Sequence, residues 1–282
     1  MIGFVNVNKP KGITSAHVVA KVKRALGLAK NVKVGHTGTL DPEASGVLPI
    51  AVGKATKLFE FMLSKTKEYE ANFTFGYETD TLDSAGKKIY SSDKIPQKSE
   101  IETKLNLFLG SISQMPPVYS AKSVGGVRAY TLARQGKSVD LQPSVVQIDE
   151  FRLIEQIDER TFRFKIVCGS GTYIRSLCRD LAYKLDTYAT MTDLVRTRVG
   201  VFDLSNAVGL DSISNSCILP CEVVLEKLDT IEIDSTTLER LRCGQKVMAK
   251  TTSAALVKVH SLGRLVGLAT CNGELKMKIW LE

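Results

Sequence analysis

Residues 69–77 constrain the fold most. Tyr69, Ala71, Phe73, Phe75 and Tyr77 alternate with Glu70, Asn72, Thr74 and Gly76. A period of two over nine residues puts the large side chains on one side of an extended chain, so the stretch predicts a β-strand with one buried face. Phe162, Phe164, Ile166 and Cys168 repeat the pattern and predict a second strand. Residues 2–7 alternate as a third, followed by a turn at Lys9-Pro10-Lys11-Gly12.

Helices are expected between these strands. Thr14 or Ser15 caps a helix whose apolar face is Val18, Val19, Val22 and Leu26, stopped by Gly27. Ala51–Leu63, with Leu58, Phe59, Phe61, Met62 and Leu63, predicts a second, and Ser99–Leu109 a short capped third ending at Gly110. The polar stretch 78–98 reads as a loop. Gly169-Ser170-Gly171 turns the chain into a helix from about Thr172 to Leu185. Tyr173 and Arg175 lie at its start, where free backbone amides suit an anion. Residues 203–230 read as a connecting region. A short helix over Ser235–Arg242 and strands near 256–260, 264–270 and 275–281 then form a small β-rich module.

The 282 residues suffice for one large domain, or a large and a small one. With 44% apolar and 24% charged residues the composition is that of an ordinary globular protein. Lys and Arg exceed Asp and Glu by 38 to 30, a net +8, which favours a polyanionic partner. No run approaches the ~18 apolar residues of a membrane span. The first residues lack the basic start and long apolar region of a signal peptide. Cysteines 168, 178, 217, 221, 243 and 271 are scattered, with no second close pair or nearby His to complete a zinc site. They read as reduced thiols in a cytoplasm, and no metal is expected.

The run Gly35-His36-Thr37-Gly38-Thr39-Leu40-Asp41-Pro42 carries the chemistry. Pro42 restricts Asp41 to extended backbone, and Gly35 and Gly38 permit tight turns and close approach of a ligand. A carboxylate fixed on such a loop beside His36 suits covalent or acid–base catalysis. Asp41-Pro42-Glu43 also reads as the N-cap, N1 and N2 of a helix. Gly46 to Gly53-Lys54 is one residue too long for a phosphate-binding Walker loop, and Ala55 stands where Ser or Thr is required. Met115–Arg134 interleaves Lys and Arg with Tyr, Ser and Gly, a composition suited to RNA.

Taken together these segments resemble the bacterial TruB-type tRNA pseudouridine-55 synthases. The resemblance rests on Asn8–Gly12 with Thr14 and Ser15, and on Gly35–Pro42 followed by Ala44, Gly46, Leu48-Pro49, Gly53 and Ala55-Thr56-Lys57. It continues through Lys67-Glu68-Tyr69, Pro116–Ala121, Arg128-Ala129-Tyr130 and Gly171–Arg175, in the family's order. It implies an α+β pseudouridine synthase fold with a central mixed, largely antiparallel sheet flanked by helices and loops. Residues 1–225 would be the catalytic domain, with an RNA-contacting insertion near 112–145, and 226–282 a PUA-like RNA-binding domain. The implied reaction converts uridine 55 of the tRNA T-loop to pseudouridine, in the cytoplasm, by a monomer without cofactor or metal. Asp41 matches the catalytic aspartate and Arg175 the arginine paired with it. His36, Tyr69, Tyr173 and Leu194 match substrate-binding positions, and Lys9 and Pro10 a motif supporting the active-site loop. Thr190 stands where the family commonly has His, and Val195 where Arg is common, with Arg196 and Arg198 close by.

Overall fold

The computed structural model describes residues 1–63, 66–120, 122–248 and 255–282; Ala121, part of the Pro116–Ala121 motif, lies outside them. The chain opens with β1 (Gly3–Lys9), α1 (Ser15–Ala25), β2 (Val34–His36) and β3 (Ser45–Val52). A 3-10 segment over Gly53–Leu58 leads into α2 (Phe59–Leu63) and β4 (Lys67–Phe75). A hairpin of β5 (Tyr77–Thr79) and β6 (Lys88–Ser91) precedes α3 (Lys98–Leu105) and β7 (Gly110–Gln114). Two-residue strands β8 (Ser123–Val124) and β9 (Val127–Arg128) and helix α4 (Ala129–Arg134) come before the long β10 (Ser144–Gln156) and β11 (Thr161–Cys168). Then follow α5 (Ile174–Lys184), β12 (Ala189–Val199), β13 (Phe202–Asp203) and β14 (Ile218–Leu219). The C-terminal part holds β15 (Thr230–Ile233), α6 (Ser235–Arg242), β16 (Val247–Met248), β17 (Val257–Ser261), β18 (Arg264–Cys271) and β19 (Glu274–Trp280).

Among the described residues, ten strands make one sheet in the order β14-β1-β3-β12-β4-β11-β10-β7, with β2 beside β3 and β13 beside β12. Only β3 and β12 run parallel; the other pairs are antiparallel. The sheet is therefore mixed and largely antiparallel, as expected. The two strands legible from alternation lie side by side, with Phe73 opposite Phe162 and Ala71 opposite Phe164. The Phe73 and Phe164 rings sit 4.7 Å apart, and Leu177 and Leu181 of α5 join the same buried cluster. Each such side chain removed from water contributes ~1.5–3 kcal/mol, which is why the alternating face seeks cover. On α1, Thr14 caps the helix by accepting a hydrogen bond from His17 N–H, and Val18 and Val22 are buried as expected.

Two expectations are corrected. The helix predicted over Ala51–Leu63 begins only at Gly53, as a 3-10 turn, because Ala51 and Val52 complete β3. All of β3 after Ser45 is buried, and a strand covered on both faces reads as a continuous apolar run without alternation. The stretch 78–98 is not all loop. Gly76, at φ +101°, ends β4 and starts the β5–β6 hairpin, whose strands lack an apolar face to announce them.

A second sheet, β15-β17-β18-β19-β16, forms the β-rich C-terminal part around Val257, Val259, Ala269 and Leu275. Its Leu268 and the adjacent Leu281 pack with Phe4, Leu58, Met62 and Phe202, so one apolar cluster spans both sheets. Lys57 Nζ adds a hydrogen bond to the Trp280 carbonyl at 2.9 Å.

Candidate active site

The loop bearing Asp41 is held from beneath by two buried cations and a serine. Lys9, fully buried, donates Nζ hydrogen bonds to the carbonyls of Pro10, Pro42 and Ala44 at 2.9, 3.1 and 2.6 Å. Burial is the main cause holding its pKa down at about 8, against the pull of Asp41 and Glu43. Ser15 Oγ bonds both the N–H and the carbonyl of Leu40 at 2.9 Å. Arg196, 1% exposed, donates to the carbonyls of Val47, Gly38 and Thr39 at 2.8, 3.0 and 3.4 Å. No helix follows Asp41, which corrects the N-cap alternative. Pro42 and Glu43 form a turn closed by Ala44 N–H on the Asp41 carbonyl at 3.1 Å, and β3 begins at Ser45.

The carboxylate borders a cavity of about 270 Å³ and meets Arg175 there, Oδ2 lying 2.8 Å from Nη2. Arg175 is 6% exposed and is fixed from several sides. It donates to the carbonyls of Thr81 and Tyr119 at 2.8 and 3.0 Å and lies 3.5 Å from the Asp83 carboxylate. Asp83 is itself held by Thr81 Oγ1 at 2.6 Å and Ala85 N–H at 3.1 Å, after Leu82 in a left-handed conformation at φ +64°. A non-glycine residue there is uncommon, and the turn uses it to direct Asp83 at the guanidinium. Asp41, Arg175 and Asp83 thus form a chain of charged groups joining the β2–β3 loop, α5 and the β5–β6 hairpin.

Tyr69 and Leu194, each 6% exposed, face the cavity from β4 and β12. Burial pushes the Tyr69 phenol up from its usual range, against Arg196, which hydrogen-bonds it, so the ring stays neutral. Tyr173 lines the cavity as the residue preceding α5. Gln114, 1% exposed, clamps its backbone, accepting from Tyr173 N–H at 2.9 Å and donating to its carbonyl at 3.1 Å. His36 is placed differently. It lies on β2 one residue before the cavity-lining stretch Thr37–Asp41 and does not itself line the cavity. Its pKa is held down by burial and by Arg196, so the imidazole is neutral, and its buried Nδ1 has no hydrogen-bond partner among the described residues.

Five of the six expected site residues therefore converge on one cavity and the sixth adjoins it. Lys67 and Arg196 also line the cavity, and Asp83 and Gln114 brace its wall through Arg175 and Tyr173; sequence reasoning gave none of the four a role in the site. Lys67 stands two residues before Tyr69, on the same strand face, and its spacing was a usable signal. The other three depend on tertiary contacts that no local pattern encodes.

Comparison with known proteins identifies the family. Residues 23–174 match the model of the TruB family pseudouridylate synthase N-terminal domain. Residues 175–231 match that of the tRNA pseudouridylate synthase B C-terminal domain. The two matches meet between Ile174 and Arg175, inside the cavity wall. A protein of Clostridium tetani named tRNA pseudouridine synthase B is 39% identical over 279 residues, covering 95% of each chain. One of the same name from Rickettsia bellii is 38% identical over 253 residues, covering 87% of this chain and 85% of its own. A chain in a solved Cbf5–Nop10–Gar1 complex superposes with a TM-score of 0.70 at 27% identity, covering 99% of this chain and 84% of its own. The family matches and the fold lead to one conclusion: the chain belongs to the TruB family and is a tRNA pseudouridine synthase, an isomerase.

Proposed function

We propose that the protein isomerises uridine 55 in the T-loop of tRNA, with the base flipped out of the RNA stack into the cavity and Asp41 acting on the nucleoside. Uridine and pseudouridine have the same composition. The N1–C1′ bond breaks, a C5–C1′ bond forms, C5 loses its proton and N1 gains one. The exchange balances without oxidant, reductant or co-reactant. A base stacked inside folded RNA is out of reach of a buried carboxylate, so extrusion, at a cost of a few kcal/mol, must precede it.

One observation carries the reading: the Asp41–Arg175 pair opens onto a cavity that also presents Tyr69 and Leu194. Arg175 keeps the carboxylate oriented for attack or proton transfer. Tyr69, Tyr173 and Leu194 give the flipped base apolar and aromatic contact, offsetting lost stacking. His36, one residue before the cavity-lining stretch, would support the T-loop where the base leaves it. The 112–145 segment supplies contacts to the T-arm, and the C-terminal sheet acts as a PUA-like RNA-binding domain. Action on tRNA makes the cytoplasm the working compartment, with a monomer as the working state.

The test is tritium release from a T-arm hairpin carrying 5-tritiated uridine at the target. Wild type is expected to release it and Asp41→Asn to lose at least ~10³-fold in rate while still binding the hairpin, as for removal of a nucleophile or base. Undiminished release by Asp41→Asn rejects the catalytic role. Binding without release by wild type rejects the reaction.

A further inference from the structure

The charged side chains around the cavity are engaged within the protein. Arg175 and Arg196 donate to backbone carbonyls, and Arg175 also holds Asp41 and Asp83. Lys67 Nζ donates to Ser170 Oγ at 2.7 Å, and Thr172 Oγ1 to the Gly169 carbonyl at 3.1 Å. Two hydroxyls differ. Thr37 and Ser120 line the same cavity, and each residue is 3% exposed. Neither buried hydroxyl oxygen has a hydrogen-bond partner among the described residues.

The backbones that carry them are fixed. Thr37 N–H donates to the Pro49 carbonyl at 3.1 Å, and the next carbonyl, that of Gly38, accepts from Arg196 at 3.0 Å. Ser120 N–H donates to the Val118 carbonyl and its own carbonyl accepts from Tyr130 N–H, both at 3.0 Å. The Tyr119 carbonyl before it accepts from Arg175 at 3.0 Å. An unpaired buried hydroxyl is destabilising, and Thr37→Val or Ser120→Ala keeps the backbone while removing that penalty. A purely structural role leaves both oxygens unexplained. A neutral polar ligand accounts for them.

We propose that the Thr37 and Ser120 hydroxyls donate to the two carbonyl oxygens, O2 and O4, of the flipped uracil and so hold its polar edge. This rests on the reading of the cavity as the uridine pocket. Bonds change at N1, C5 and C1′, so the O2–N3–O4 edge is left free for recognition. A half-turn about the line through N3 and C6 exchanges N1 with C5, as the reaction requires. The same half-turn makes O2 and O4 change places. Two donors set for these oxygens therefore serve the base before and after the exchange. The loop bearing Asp41 supplies one donor and the insertion near 112–145 the other, so the edge is fully met only when both segments are in place.

The experiment pairs thermal melting with single-turnover pseudouridine formation in a T-arm hairpin, read from the nucleosides after digestion. Thr37→Val and Ser120→Ala are expected to melt no lower than wild type, because each removes an unpaired buried oxygen. Both should nevertheless convert the saturating hairpin roughly fivefold to a hundredfold more slowly, the range for leaving a buried partner unpaired. Thr37→Ser, which keeps the hydroxyl, should regain most of the rate. Hairpins with 2-thiouridine or 4-thiouridine at the target weaken one acceptor at a time, and each should slow wild type. The variant lacking the matching hydroxyl should show no further loss with that hairpin. Wild-type rates in both variants, thio penalties that are absent from wild type or undiminished in both variants, or a clear fall in melting temperature overturn the assignment. So does failure of both variants to fold, which would reveal a structural role. Conversion of the natural hairpin by wild type leaves the reaction intact in each of these cases. If wild type converts no natural hairpin, the underlying reading fails and the assignment with it.

Discussion

Asp41 gains its geometry from the charged residues behind it. Arg175 stands between two carboxylates, and the outer one, Asp83, fixes where the inner one points. Asp83→Asn keeps the size of the side chain and removes its charge. The maximal rate is expected to fall roughly tenfold or more, by loss of a charged hydrogen-bond partner, with little change in half-saturating RNA. Single-turnover kinetics separate the two, and a change confined to RNA affinity contradicts the positioning role. Lys9 and Lys67 provide a second test at this scale, through pH. Burial holds each down at about 8 in the fold, against an ordinary value of 10.5. The unfolded chain binds more protons than the folded one between those values, so their contribution makes stability climb from pH 8 to 10.5 and stay flat below 8. For Lys67 the climb amounts to at most about 3 kcal/mol. Denaturant midpoints measured across this window should rise less in Lys67→Met than in wild type; parallel curves would disprove the shift. Among single residues, Asp41, Arg175, Tyr69 and Tyr173 were legible because motifs carry them in order, and Leu194 only through the resemblance as a whole. Arg196, Asp83 and Gln114 were not, because a buried arginine bonded to carbonyls leaves no local trace in sequence.

At the scale of elements, alternation was decisive where one face of a strand is apolar and the other polar. It exposed β4 and β11, and it failed for β3, buried on both faces. It also failed for β12, whose Thr190, Thr192 and Arg196 put polar groups among its inward positions. The junction of those two missed strands is where the site depends most on backbone shape. Gly46 of β3 adopts φ +103° opposite Arg196 of β12, and a Cβ there would collide with the Arg196 carbonyl oxygen. Gly46→Ala is therefore expected to cost at least ~1–3 kcal/mol from overpacking, besides backbone strain. It should also weaken catalysis by shifting Arg196 beneath the Asp41 loop. Thermal melting and single-turnover rates check both, and wild-type stability would show that β3 and β12 can part without penalty.

Over the whole molecule, the sequence announced two parts of unequal size but not how they are joined. The bridging cluster of Phe4, Leu58, Met62, Leu268 and Leu281 mixes residues far apart in the chain, and no periodicity reveals it. Because each sheet completes the other's apolar packing there, unfolding should be a single cooperative transition with both parts lost together. Calorimetry showing two separate endotherms would disprove the coupling.

The strand order also has a consequence for synthesis. β12 lies between β3 and β4, yet it follows both by more than a hundred residues of chain. A ribosome therefore makes the two halves of the large sheet, β1 to β3 on one side and β4 with β11, β10 and β7 on the other, before the strand that joins them. Until Ala189–Val199 emerges, each half presents an unpaired edge, a surface that invites pairing with other chains and calls for protection. A growing chain halted short of Ala189 already contains Asp41, Tyr69 and Arg175 but has nothing to lock them into one cavity, so RNA-modifying competence arrives last, with the closing of the seam.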